Sequence, residues 1–161
     1  MAKLRVGVIT SSDTCAAGSK QDGSGPALME LVEARGWEVA GYRLCADDAA
    51  ALSAAIIEIA DVDGADVIFT TGGTGFSPRD VAPEATMAVC DRMAPGIAEY
   101  IRAESAKVTP RAILSRGVAG LRGSTLVINV PGSVKAARES FGFVADQLEH
   151  AVEMIAGGGH A

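Results

Sequence analysis

Residues 65–71, ADVIFTT, run through β-branched and aromatic side chains with no polar alternation. A strand apolar on both faces must be covered on both sides, which is the situation of a central strand in a parallel sheet. The rest of the chain repeats the theme. Residues 4–9 (LRVGVI) and 124–129 (STLVIN) are further short apolar strands, and 37–44 (WEVAGYRL) alternates as a strand nearer an edge does. Helical patterns lie between them. One runs from Pro26 to near Gly36, with Leu28, Leu31 and Val32 on one face; a second, over 49–60, carries Leu52, Ile56 and Ile59. Two shorter ones cover 83–90 and 96–103, and a long one over 134–155 has Phe141, Val144, Leu148, Ala151 and Ile155 on one stripe. The expectation is a three-layer α/β/α sandwich with a mostly parallel central sheet. No repeat or linker divides the chain, so 1–156 reads as one domain and 157–161 as a flexible tail.

Composition narrows what such a fold can serve. With 161 residues, 48% of them hydrophobic, the chain can bury a core without disulfides or a structural metal. The formal net charge is −6, and no run of lysine or arginine offsets it. A nucleic-acid partner, which needs a basic stripe against its phosphates, is not expected. A membrane partner is not expected either, because MAKLRVGVIT reaches the polar SSD too soon for a signal-peptide core or a span. Cys15, Cys45 and Cys90 are odd in number and unpaired in spacing, which argues for a reducing compartment and against a zinc site. The expected location is the cytoplasm.

The strands end in unusual loops: TSSDT, CADD, TTGGTGFSPRD and NVPGS. In sheets of this kind ligands bind beyond the carboxyl ends of the strands. Glycines let backbone amides approach a ligand closely, and helix N-termini add unpaired donors at the positive end of a dipole. Together the four loops describe a pocket for a phosphorylated or otherwise anionic ligand. It is not a standard nucleotide loop. G-x-x-x-x-G-K-[ST] is absent, and Gly73-Thr74-Gly75 lacks the third glycine of G-x-G-x-x-G.

Carboxylates in these loops have competing readings. Asp48 stands where a helix N-cap belongs, which leaves Asp47 without that role. Asp80 either pairs with Arg79 or caps the helix near Pro83, or it faces bound phosphates and holds Mg²⁺. That ion takes one or two carboxylates plus phosphate oxygens. His150 falls on the last helix and His160 in the tail, and no Ser-His or Cys-His pair is visible. Phosphoryl and nucleotidyl transfers need positioning and charge stabilisation more than a protein base, so they suit this chain better than histidine chemistry.

TTGGTGFSPRDVAPEAT, taken with LSRGVAGLRGSTLVINVPGS, resembles the molybdopterin adenylyltransferase family, which includes the G domain of gephyrin. The similarity runs from VITSSD to HAVEMI, essentially the whole chain. The resemblance implies the molybdenum-cofactor-biosynthesis fold, a homotrimer, and transfer of AMP from Mg-ATP to the terminal phosphate of molybdopterin with release of pyrophosphate. The adenylylated pterin would then pass to the metal-insertion enzyme of the pathway. With a second pKa of about 6, the pterin phosphate would be largely dianionic at neutral pH and would attack without a protein base.

Carried over position by position, the resemblance makes Asp47 and Asp80 the catalytic acids that hold Mg²⁺. Ser115 matches a serine at the dithiolene end of the pterin. Thr71, Gly72, Gly73, Thr74 and Gly75 would line a crevice shared by pterin and nucleotide, bordered by Ser12, Asp13 and the QDGSG segment. Pro131, Gly132 and Ser133 would lie beside the pterin. Two positions depart from the pattern. Ala82 stands where many relatives have threonine, and CADD offers two acids, of which Asp47 has the family's spacing to Asp80. A non-catalytic pterin-binding scaffold and another phosphate-processing enzyme on the same framework are the rival readings.

Overall fold

In the computed structural model, which describes residues 3–158, six strands make one sheet in the order β2-β1-β3-β6-β5-β4. Strands β1 (Arg5–Ser11), β2 (Glu38–Cys45), β3 (Val67–Thr71) and β6 (Thr125–Val130) are mutually parallel. Strands β5 (Ala119–Arg122) and β4 (Arg92–Met93) close the far edge antiparallel. Every residue of β3 and β6 is buried, which is why ADVIFTT carries no alternation.

The pleat divides these side chains between two cores. Val67 and Phe69 join one under α2 (Ser24–Ala34), α5 (Pro95–Val108) and α6 (Val134–Ile155). Ile68 and Val127 join the other under α3 (Ala49–Ile57) and α4 (Ala82–Val89). Fully buried residues such as Leu28, Ile56 and Ile68 each contribute roughly 1.5–3 kcal/mol. This is the mostly parallel three-layer sandwich expected, with WEVAGYRL as the edge strand β2.

Some elements differ from expectation, each for a local reason. A single turn, α1 (Asp13–Ala16), forms in the aperiodic TSSDTCAA because Ser12 caps it, accepting from the Cys15 amide at 3.2 Å. The pattern over 49–60 divides into α3 and a π-helical turn, Glu58–Val62. The helix expected over 96–103 runs from Pro95 to Val108, because no residue of it beyond Ile101 is buried and so none continues the apolar period. Strands β4 and β5 have only 2 and 4 residues, too short to show one. Gly157, at φ +90°, and Gly158 return their amides to Met154 and Glu153 and so close α6. The rest of the expected tail, with His160, lies outside the described residues.

One buried polar group ties β6 to its surroundings. Asn129 donates through Nδ2 to the hydroxyls of Thr70 at 2.8 Å and Thr86 at 2.9 Å, and its Oδ1 accepts from the Val118 amide at 3.1 Å. A buried network satisfied in this way fixes β3, α4 and the approach to β5 relative to β6. Asn129→Ala would orphan all three partners. It should cost about 2–4 kcal/mol, read in urea denaturation as a lower midpoint with an unchanged slope.

Candidate active site

The parallel strands all end on one side, and the loops leaving them meet there. After β1 the chain crosses to β2 on one flank, and β3 then pairs on the other, so a crevice opens between the ends of β1 and β3. The loop after β3 forms its floor. Gly72 lies at φ +99° and donates its amide to Val130 O at 3.1 Å, and any Cβ there would collide with the carbonyl oxygen of Ser11. Only glycine can take that position. The Thr71 hydroxyl donates to Pro131 O at 2.7 Å, so TTGG and NVPGS hold each other.

Two cavities flank this loop. The first, about 380 Å³, is walled by Ser11, Ser12, Asp47, the Thr71–Gly72–Gly73 stretch, Gly132 and Ser133, and by Lys20 to Ser24 at the start of α2. The second, about 280 Å³, is walled by Thr74, Gly75, Arg111, Ser115 and Pro131. The structure thus brings most of the expected residues together but divides them between two lobes. Asp13 and Asp80 line neither; each sits against the loops that do.

The hydroxyls are largely committed already. Ser133 caps α6 by accepting from Ala136 N at 3.2 Å, and Ser12 caps α1. Ser115 Oγ accepts from Gly117 N at 3.2 Å and keeps its own proton to donate. Backbone donors remain as well. Among the described residues, the amides of Gly73, Thr74, Gly75, Gly132 and Ser133 have no protein acceptor. Five unpaired donors around two cavities, beside the N-termini of α2 and α6, are suited to a bound anion with several oxygens.

The acidic residues are fixed rather than loose. Asp48 caps α3, accepting from Ala51 N at 2.9 Å, so Asp47 is free to face the first cavity. Asp47 accepts from the Ser11 hydroxyl at 2.9 Å and from the Asp13 amide at 3.0 Å, while its own amide donates to Asp13 Oδ1 at 2.9 Å. Arg79 then grips Asp13 through both Nε and Nη2 at 2.9 Å. Asp80 therefore does not pair with Arg79. Its Oδ2 accepts from Ser77 N at 2.9 Å and lies close over Gly75. The Arg79 guanidinium, helped by the Asp47 amide, holds the Asp13 carboxyl below the usual range. Burial, with Asp47 and Asp48 adding to it, pushes the Cys45 thiol up to about 11.

Among the described residues, no three His, Cys, Asp or Glu side chains could hold a metal by themselves. Asp47 and Asp80 are hard oxygen donors beside the loop after β3, Asp47 at Gly73 and Asp80 at Gly75. That donor set fits Mg²⁺ only when the ligand's phosphates complete the coordination, which is the arrangement Mg²⁺ favours.

Sequence reasoning placed Asp22 at the crevice only as part of QDGSG, and gave no individual role to it or to Tyr42, Asn129 or Arg116. Asp22, in the QDGSG segment, accepts from Thr10 Oγ1 at 2.8 Å, from Gly25 N at 3.2 Å and from the Tyr42 hydroxyl. Gly25 is packed so tightly that a Cβ would overlap Asp22 and Thr10. Tyr42 lies in β2, far along the chain, and no spacing rule links the two. Burial first, and the Asp22 carboxylate second, push Tyr42 from 10.0 up to about 12. Because the folded value is raised, this contribution to stability is complete below pH 10 and is lost as pH rises towards 12. In a Tyr100→Phe background, tyrosinate absorbance should rise late, and Asp22→Asn should move the rise to lower pH without restoring the ordinary value.

Residues 7–150 match the family described as "Probable molybdopterin binding domain". A molybdopterin adenylyltransferase of Helicobacter pylori is 37% identical over 159 residues, covering 98% of this chain and 90% of that one. The molybdenum cofactor synthesis protein cinnamon of Drosophila melanogaster is 41% identical over 96% of this chain, which spans only 26% of that longer protein. Among solved structures, the molybdopterin biosynthesis enzyme MoaB of Thermus thermophilus superposes with a TM-score of 0.89 at 45% identity, covering 96% and 97% of the two chains. With its glycine-floored crevice and this match over nearly all its length, the chain belongs to the molybdenum cofactor biosynthesis family of molybdopterin-binding domains.

Proposed function

We propose that this protein is a molybdopterin adenylyltransferase, joining AMP from ATP to the phosphate of molybdopterin and releasing pyrophosphate. The observation that carries the reading is the paired cavity, with unpartnered amides of Gly73, Thr74, Gly75, Gly132 and Ser133 on its walls. Two phosphorylated substrates need two adjoining pockets with donors at the seam. The lobe at Ser115 and Pro131 would take the pterin, and the lobe at Asp47 and the start of α2 would take the nucleotide.

The reaction needs few protein groups. An oxygen of the pterin phosphate attacks the α-phosphorus of ATP, a new P–O bond forms, and the bond from that phosphorus to the bridging oxygen breaks. Pyrophosphate leaves with its electron pair. The two phosphates are held in line by the lobes, and the loop amides meet the charge that builds on the α-phosphate oxygens. Asp47 and Asp80 would hold Mg²⁺, which when bound neutralises phosphate charge. Asp47 is oriented for this by Ser11 and Asp13, and Asp80 by Ser77. A scaffold that only bound pterin would have no use for two such oriented carboxylates.

The assembly proposed is a homotrimer. An apolar groove lined by Ile97, Tyr100, Phe143 and Leu148 adjoins a second formed by Leu121, Met154 and Ile155. Tyr100 and Met154 are left 51% and 46% exposed, a face suited to burial against another copy. Among the described residues no helix is long and apolar enough to cross a membrane, and the free thiols of Cys15, Cys45 and Cys90 agree with a reducing cytoplasm. The product would be passed to a metal-inserting enzyme.

Anaerobic incubation with molybdopterin, ATP and Mg²⁺ should yield adenylylated pterin and pyrophosphate in equal amounts, and neither without the metal. Tight pterin binding with no product would leave only the scaffold reading. Asp80→Asn keeps the shape and the acceptor for Ser77, and should lower turnover by about 100-fold or more with pterin affinity within about threefold. Asp48→Asn, which touches only the α3 cap, should cost less than about 1 kcal/mol of stability and little activity. A severe effect there would move the catalytic role from Asp47.

A further inference from the structure

The guanidinium of Arg116 enters neither cavity, yet it holds the Asp80 loop at both ends. Arg116 Nε donates to Gly75 O at 2.8 Å and Nη2 to Asp80 O at 2.8 Å, while the Arg116 amide donates to Thr74 O at 2.7 Å. The same fork is aimed by Glu84, in the first turn of α4, through Nη1 at 2.7 Å and Nη2 at 3.2 Å. One side chain thus joins the start of the excursion, its end and the helix that follows.

Little else does so. Phe76 at the loop tip is 69% exposed, so no apolar anchor seats it. The bonds from Ser77 N to Asp80 Oδ2 and from Asp80 N to Ser77 O tie the tip only to itself. The Arg79–Asp13 pair is largely exposed, where ion pairs contribute least. Ala82 N to Gly73 O, at 3.0 Å, fixes the base. Between base and tip the load falls on Arg116. Its neighbour Ser115 lines the second cavity, so the segment that walls this lobe also fixes the loop that carries the Asp80 carboxylate at its margin.

We propose that Arg116 is a positioning residue for the reaction inferred above: it keeps the Gly75–Asp80 turn, and with it the Asp80 carboxylate, in register with Ser115. The inference rests on that functional reading for its catalytic consequence, but not for its structural part. The planar fork is essential, because an ammonium cannot reach two carbonyls and a carboxylate in these directions.

The test compares wild type, Arg116→Met, Arg116→Lys and Glu84→Gln by amide hydrogen exchange and by steady-state kinetics with molybdopterin and ATP. In Arg116→Met the bonded loop amides of Ser77, Asp80 and Ala82 should exchange at least about tenfold faster while those of β3 and β6 are unchanged. Turnover should fall by about 100-fold, with the KM for pterin within about threefold. Arg116→Lys should recover less than about a tenth of that loss. Glu84→Gln leaves the donors in place but less well aimed, and should show the same pattern at about threefold; it carries the test if Arg116→Met does not fold. Unchanged loop exchange, or a pterin KM that rises as far as turnover falls, would overturn the proposal. A wild-type protein that makes no adenylylated pterin would sink the functional reading instead, while the exchange comparison would still decide whether Arg116 holds the loop.

Discussion

The site depends on the contact between Gly72 and the ends of its neighbouring strands. Its amide reaches Val130 O, its missing side chain makes room for the Ser11 carbonyl, and Gly132 approaches its Cα from the other side. Three strand ends are thereby drawn to one point, at a backbone angle of φ +99° open only to glycine. From that point the chain divides a single crevice into two. Gly73 faces Asp47 in one lobe, and Gly75 lies under the Asp80 carboxylate at the margin of the other. A loop held less closely could still bind an anion, but it would not present amides to two ligands at a fixed separation.

Around this seam the polar side chains serve as supports more than as ligands. Thr71, Ser12 and Ser133 spend their hydroxyls on loops and caps, and Asp13 serves Asp47 and Arg79. What is left on the cavity walls is backbone amide, the Ser115 hydroxyl proton, the cationic side chains of Lys20 and Arg111, and the Asp47 carboxylate, with Asp80 at the margin. That suits a transfer between phosphates, in which the nucleophile is already ionised and the catalyst's task is placement and charge. It also explains why an acidic chain can accommodate anions: local dipoles, with Lys20 and Arg111, line the cavities, and the net charge of −6 is not what the ligand meets.

Much of this was legible in the sequence. Unbroken apolar runs at ADVIFTT and STLVIN announced buried parallel strands, and the 3.6-residue stripe of the last helix gave both its ends. Asp48 was readable as a cap because capping is a local matter of spacing. Other features could not be read. The strand Arg92–Met93 is too short for periodicity, and the partnership of Asp22 with Tyr42 joins segments brought close only by the fold. Arg116 lay inside a motif that was noticed, LSRGVAG, yet its task is set by carbonyls of Gly75 and Asp80 some forty residues upstream. Nor did spacing reveal that the expected ligand residues fall in two lobes. That division follows from the path of the backbone at Gly72 and Gly73, where both φ angles are positive.

The central claim is that the two lobes hold two substrates at once. The most direct measurement is titration of a non-hydrolysable ATP analogue with Mg²⁺, first into the free protein and then into protein saturated with molybdopterin. Two lobes predict that the analogue still binds with a stoichiometry of one per chain, its affinity changed by less than about tenfold. Strict competition, with pterin abolishing nucleotide binding, would mean that the crevice is a single site and that Gly72 divides nothing.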